Sequence, residues 1–152
     1  MYATILLCYD GSREGRLALR EGAKLAQITG AAVHLLAVVE TSSVSAMAQA
    51  ADAEALRRQQ ADFEAVLEEG RHRLTAMGLE PVVRMEFGDP VATITRIADE
   101  LGADLVIAGH HRDGFWSHWL RRSVTAELGD RLKCSLLLAQ KVVEDSELFP
   151  KT

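Results

Sequence analysis

Leu105-Val-Ile-Ala-Gly-His-His-Arg-Asp-Gly-Phe-Trp-Ser-His-Trp-Leu-Arg-Arg-Ser-Val124 is the stretch from which the fold can be read. It opens as a short apolar run, Leu105 to Ala108, with the length and content of a strand buried on both faces. Gly109 breaks the run, a polar and aromatic loop follows, and helical sequence resumes near Arg121. A buried strand that opens at its C-terminal end into a loop and then a helix N-terminus is where open α/β sheets place ligands. Function is therefore to be sought here, and the first question is whether this stretch can hold a nucleotide phosphate.

The same alternation extends outward in both directions. Ala3 to Tyr9 is an unbroken apolar run, a buried strand, and Asp10-Gly11-Ser12 ends it with a tight turn and a good helix N-cap. From Arg13 to Thr29 a face of small residues recurs (Gly15, Ala18, Leu19, Gly22, Ala23, Ala26), which predicts a helix packed close to the sheet and stopped at Gly30. Val33 to Val39 is a second strand. His34 interrupts it and reads as a partly exposed or hydrogen-bonded strand residue, not a ligand. Residues 41–48 are Ser- and Ala-rich and carry no strong pattern.

From about Ala50 to Met77 helix formers dominate, with Leu56, Phe63, Leu67, Gly70 and Leu74 on one stripe and charges on the other face; this predicts a sheet-covering helix ended by Gly78, with His72 solvated between Arg71 and Arg73. Pro81 to Phe87 alternates like a strand near a sheet edge. Gly88-Asp89-Pro90 supplies a turn, an N-cap and a first helical residue, after which Val91, Ile94, Ile97, Ala98 and Leu101 form a buried stripe up to Gly102. Asp104 to Ala108 is the fourth strand, Ser123 to Arg131 the last helix, Cys134 to Ala139 the fifth strand, and 141–152 a polar tail. The β-α alternation predicts one domain over residues 1–140: an α/β fold with a parallel sheet, right-handed crossovers and helices on both faces.

Composition sets outer limits. The chain has 152 residues, 48% hydrophobic and 26% charged, and a net charge of −5, which disfavours nucleic acid or anionic membrane as a partner. No signal peptide is visible and no apolar stretch approaches 18 residues, so the expectation is a cytoplasmic protein that spans no membrane. Cys8 and Cys134 sit inside apolar runs and read as small buried hydrophobes of a reducing compartment.

Three stretches together resemble the universal stress protein family: Ile5-Leu-Leu-Cys-Tyr-Asp-Gly-Ser12; Gly88-Asp-Pro90 with Ile97-Ala-Asp-Glu-Leu-Gly-Ala-Asp-Leu-Val-Ile-Ala-Gly109; and the loop with the Ser123-Val124 helix start. The resemblance implies a five-stranded, Rossmann-like sheet of order 3-2-1-4-5 and a homodimer joined through the last strands. It places Asp10 against the base or ribose of a nucleotide and Val38 along the adenine pocket. With strand four between them, Cys8 and Cys134 would stand two strand spacings apart, about 9–10 Å, too far for a disulfide.

Nucleotide-binding members of that family carry G-x2-G-x9-G-S/T. Here the first glycine is Gly109 and the serine Ser123, but Arg112 and Arg122 hold the second and third glycine positions. Phosphate loops need glycine so that the backbone can take positive φ and bring its N–H groups to the oxygens. The segment Gly109 to Ser117 is similar to the A-type branch, which does not use the nucleotide signature. The expectation is a stress-response interaction module with no cofactor. A rival reading stays open: Arg112, Arg121 and Arg122 beside a helix N-terminus are suited to phosphate oxygens and would hold ATP or another anion in an altered pose.

Other chemistry is less well supported. His110, His111, Asp113 and His118 lack a zinc spacing, so no metal site is expected. Ser117 and Ser123 lie near histidines without a G-x-S-x-G elbow, so no hydrolase is expected. Phe115, Trp116 and Trp119 crowd one loop of a chain otherwise poor in aromatics. They either fill the emptied crevice or anchor a protein partner or second subunit, whose identity the residues do not name.

Overall fold

The computed structural model describes residues 1–40, 53–110 and 122–140. Five strands, β1 (Thr4–Cys8), β2 (Ala32–Glu40), β3 (Val82–Gly88), β4 (Leu105–Gly109) and β5 (Ser135–Ala139), form one parallel sheet of order β3-β2-β1-β4-β5. Helices α1 (Arg13–Thr29), α2 (Ala53–Ala76), α3 (Pro90–Leu101) and α4 (Arg122–Arg131) alternate with them. The fold class is the one read from the β-α alternation, and the strand order is the one the family resemblance implies.

The local signals act as their chemistry requires. Ser12 Oγ accepts the Gly15 N–H at 2.9 Å, and Asp89 Oδ2 accepts the Ala92 N–H at 2.9 Å, with Pro90 in the first helical turn. Each satisfies a backbone donor that a helix start would otherwise leave without a partner. Gly30 and Gly102 close α1 and α3 in the left-handed conformation.

The alternation of the strands separates two cores. Ile5, Leu7, Leu35, Ala37 and Ile107 face α1 and α2. Leu6, Cys8, Leu36, Val38, Val106 and Ala108 face α3 and α4. The small-residue face of α1 is a steric requirement: a Cβ on Gly22 would stand 2.3 Å from Leu7 Cδ2. On α2, Leu67, Gly70 and Leu74 are buried and Phe63 packs against them; the side chain of Leu56 lies outside the described residues, as do 41–52 and 141–152.

β3 is an edge strand, as its alternation predicts. Val82 and Phe87 are exposed, while Arg84 and Glu86 join Arg96 and Glu100 of α3 in a closed set of ion pairs. Charges along an edge discourage pairing with a further strand.

At the N-terminal ends of the strands, Asp104 binds β1 to β4. Its carboxylate accepts the Ala3 and Thr4 N–H groups at 2.8 and 3.1 Å, and its own N–H donates to Thr4 O at 3.1 Å. Asp104→Ala removes two hydrogen bonds to a charged acceptor, one of them at an exposed position. The expected cost is about 2 kcal/mol, read as a lower urea midpoint at unchanged slope.

Candidate functional site

The site lies at the C-terminal ends of β1, β2 and β4. β1 leaves the sheet at Cys8, and Tyr9 N–H still donates to Leu36 O at 2.8 Å. Two residues of β2 further on is Val38, fully buried on the face shared with Cys8 and Ala108 and level with Asp10. Asp10 is 5% exposed, unusual for a carboxylate. Its Oδ1 accepts both the Ser12 N–H, at 2.9 Å, and the Ser12 hydroxyl, while the same hydroxyl oxygen caps α1. Gly11, at φ 79°, makes the turn that brings these groups together.

Gly109 ends β4 against the first turn of α1. A Cβ there would lie 2.4 Å from Glu14 C and 2.6 Å from both Glu14 O and Gly15 N. The glycine is thus required for strand–helix packing whatever is bound. Beyond it, His110 N–H donates to Ala139 O at 2.9 Å, and His110 Nδ1 lies 3.4 Å from the hydroxyl of buried Thr125 on α4. Val124, half-buried, packs into the core beside α3.

Of the residues expected at the site, Asp10, Val38, Gly109 and Val124 are brought to this end of the sheet. Arg122 and Ser123 open α4, their side chains outside the described residues. Arg112 also lies outside, with Arg121, His111, Asp113, Phe115, Trp116, Ser117, His118 and Trp119. Among the described residues no group of three His, Cys, Asp or Glu side chains could hold a metal ion. No described helix is long and apolar enough to cross a membrane.

Two features were not read from the sequence. One is Thr125. The other is a polar cluster on the opposite face, where the Tyr9 hydroxyl donates to Glu69, which also pairs with Arg73 and, at 3.5 Å, with Arg16. Burial first, then the Glu69 carboxylate, pushes the Tyr9 phenol up, so it remains a neutral donor. Burial first, then the Asp10 charge, likewise pushes the Cys8 thiol up, which makes it inert as a nucleophile.

The fifth strand begins one residue after Cys134. Cys8 stands beside Ala108, and Ala108 beside Leu138; Cys134 lies four residues before Leu138, just ahead of β5. Both thiols are free.

Residues 1–140 match the universal stress protein family. The chain belongs to that family. No curated protein matches it in sequence. Solved structures agree in fold. Hypothetical protein MJ0577 is similar at TM-score 0.77 and 21% identity, over 95% of this chain and 99% of that one. A universal stress protein in complex with cAMP is similar at TM-score 0.68 and 24% identity, over 91% and 97%. The universal stress protein from Archaeoglobus fulgidus in complex with dAMP is similar at TM-score 0.62 and 16% identity, over 90% and 97%.

Proposed function

We propose that this universal stress protein is a non-enzymatic, homodimeric regulatory module of the cytoplasm that docks a protein partner and does not bind ATP tightly. The observation that carries this reading is the replacement of two signature glycines by Arg112 and Arg122 while the rest of the crevice wall is kept. Gly109 serves strand–helix packing, and Asp10 Oδ1 is engaged by Ser12. Neither arrangement requires a triphosphate. Isothermal titration with Mg-ATP is expected to give no saturable heat below millimolar concentration; micromolar binding would reverse the reading.

The dimer rests on the contrast between the two sheet edges. β3 is lined with ion pairs, whereas β5 presents Leu136, Leu137 and Leu138 only half-buried. An apolar edge strand favours pairing with a second strand. Sedimentation equilibrium at micromolar concentration is expected to give twice the chain mass, falling to one chain mass for Leu136→Arg with Leu138→Arg. A wild-type monomer would remove the dimer from the proposal.

A second reading is favoured by the cAMP and dAMP complexes among similar structures. Both ligands are adenine nucleotides with a single phosphate, which ask less of a glycine loop than ATP does. With Asp10 and Val38 in place, an adenosine monophosphate would use the intact part of the crevice, its phosphate beside Arg112 and Arg122. Titration with AMP alongside ATP separates the two readings: AMP binding without ATP binding selects the second.

A further inference from the structure

At the opposite end of the sheet, the face covered by α3 is not closed. His34 stands on this face between Leu6 of β1 and Val82 of β3. A cavity of about 90 Å³ remains at this corner, between the strands and the C-terminal half of α3. Buried Leu6, Leu36 and Ile97 form its floor with half-buried Leu101, and the partly exposed His34 and Arg84 stand at its mouth.

Among the described residues, Arg84 is the one charged residue in the lining of the cavity. Arg84 Nε donates to Glu86 Oε1 at 2.6 Å and its Nη1 lies 3.2 Å from Glu100. Its Nη2 amino group carries two further N–H donors. The charged groups on the elements around His34 are Arg84 and Glu86 on β3 and Arg96 and Glu100 on α3, which pair with one another; β1 contributes the apolar Leu6. The floor favours a small apolar tail. An apolar cavity of roughly 150 Å³ accommodates benzene, so this one suits a chain of about four carbons.

We propose that this corner binds a short-chain monocarboxylate, with the alkyl tail over Leu6, Leu36 and Ile97 and the carboxylate against Arg84 and His34. Binding is coupled to protons. Burial first, then the Arg84 charge, holds the His34 imidazole below the ordinary histidine value. A carboxylate beside Arg84 offsets that charge and favours the imidazolium. Binding therefore raises the His34 pKa, and by reciprocity protonation of His34 tightens binding. The site is independent of the nucleotide crevice.

The test is proton NMR of the full chain, following the His34 ring signals during titration with sodium butanoate and, separately, with butanol, at pH 8 and pH 5.5. Saturable butanoate binding is expected, tighter at pH 5.5 than at pH 8, by at most about tenfold for each unit by which butanoate raises the His34 pKa. Butanol is expected to bind more weakly and without pH dependence. His34→Leu, followed through the methyl signals of Leu6 and Ile97, keeps the apolar cavity and should abolish the pH dependence. Leu101→Trp, checked for an unchanged fold by circular dichroism, should fill the cavity and abolish binding. Equal responses to butanol and butanoate would mean that the carboxylate is not recognised, and His34 signals indifferent to tens of millimolar butanoate would mean that the corner holds only water; either would overturn the proposal.

Discussion

Gly109→Ala is expected to lower the stability of the chain by about 3 kcal/mol, the upper end of the usual overpacking range. The new methyl group would meet the main chain of Glu14 and Gly15 at 2.4 to 2.6 Å, distances that real Cβ atoms do not show. A flexible side chain would swing away; a backbone cannot. Relief requires α1 to shift at its first turn, where Ser12 caps the helix and fixes Asp10. Alternatively β4 shifts, and with it the His110 bond to Ala139. For a domain of this size, about 3 kcal/mol corresponds to a fall of roughly 10 °C in Tm. Thermal unfolding followed by circular dichroism reads it directly. A change below about 1 kcal/mol would show that the strand end and helix do not pack as described.

This prediction also clarifies what the first signature glycine is for. A glycine at the end of β4 invites reading as a phosphate-binding residue, but its missing side chain is occupied by the first turn of α1. Its presence is therefore no evidence that a phosphate binds. The two later signature positions carry that question, and both are arginine.

The fold was legible because its determinants are local and redundant. β1, β4 and β5 are short apolar runs, and α1 and α3 begin at the capping side chains Ser12 and Asp89 and end at glycines in the left-handed conformation. The first half of the site, Asp10 with Gly11 and Ser12, was legible for the same reason. What escaped depends on register and on long-range pairing. Tyr9 meets Glu69 across 60 positions, and nothing near either residue announces the other. Thr125 reads as an ordinary helix residue until α4 is laid beside His110. The cavity beside His34 was not legible at all, since it is defined by where α3 leaves the sheet corner uncovered.

Arg112→Gly combined with Arg122→Gly is expected to raise ATP affinity at least tenfold, from no saturable binding below millimolar to about 100 µM or tighter, a gain of about 1.4 kcal/mol or more. The reasoning is steric and conformational together. Wrapping a triphosphate requires main-chain N–H groups aimed at its oxygens, from residues free to take positive φ and with no side chain in the way. The two substitutions remove both side chains, and the glycine at position 112 is also free to take positive φ, while Asp10, Val38, Gly109 and Ser123 are left untouched. The cost to folding is small because residue 122 is the first of α4, where glycine disrupts less than in a helix interior. Arg112→Ala with Arg122→Ala is the informative companion. It removes the same charges and most of the same bulk but withholds positive φ, so it should recover much less affinity. If the arginines instead grip phosphate, both double variants lose whatever affinity exists, by about 1.5–3 kcal/mol for each charged hydrogen bond removed. A gain for glycine without a gain for alanine would locate the defect in the backbone. Equal gains would locate it in side-chain volume, and a loss for both would make Arg112 and Arg122 ligands of an altered nucleotide site.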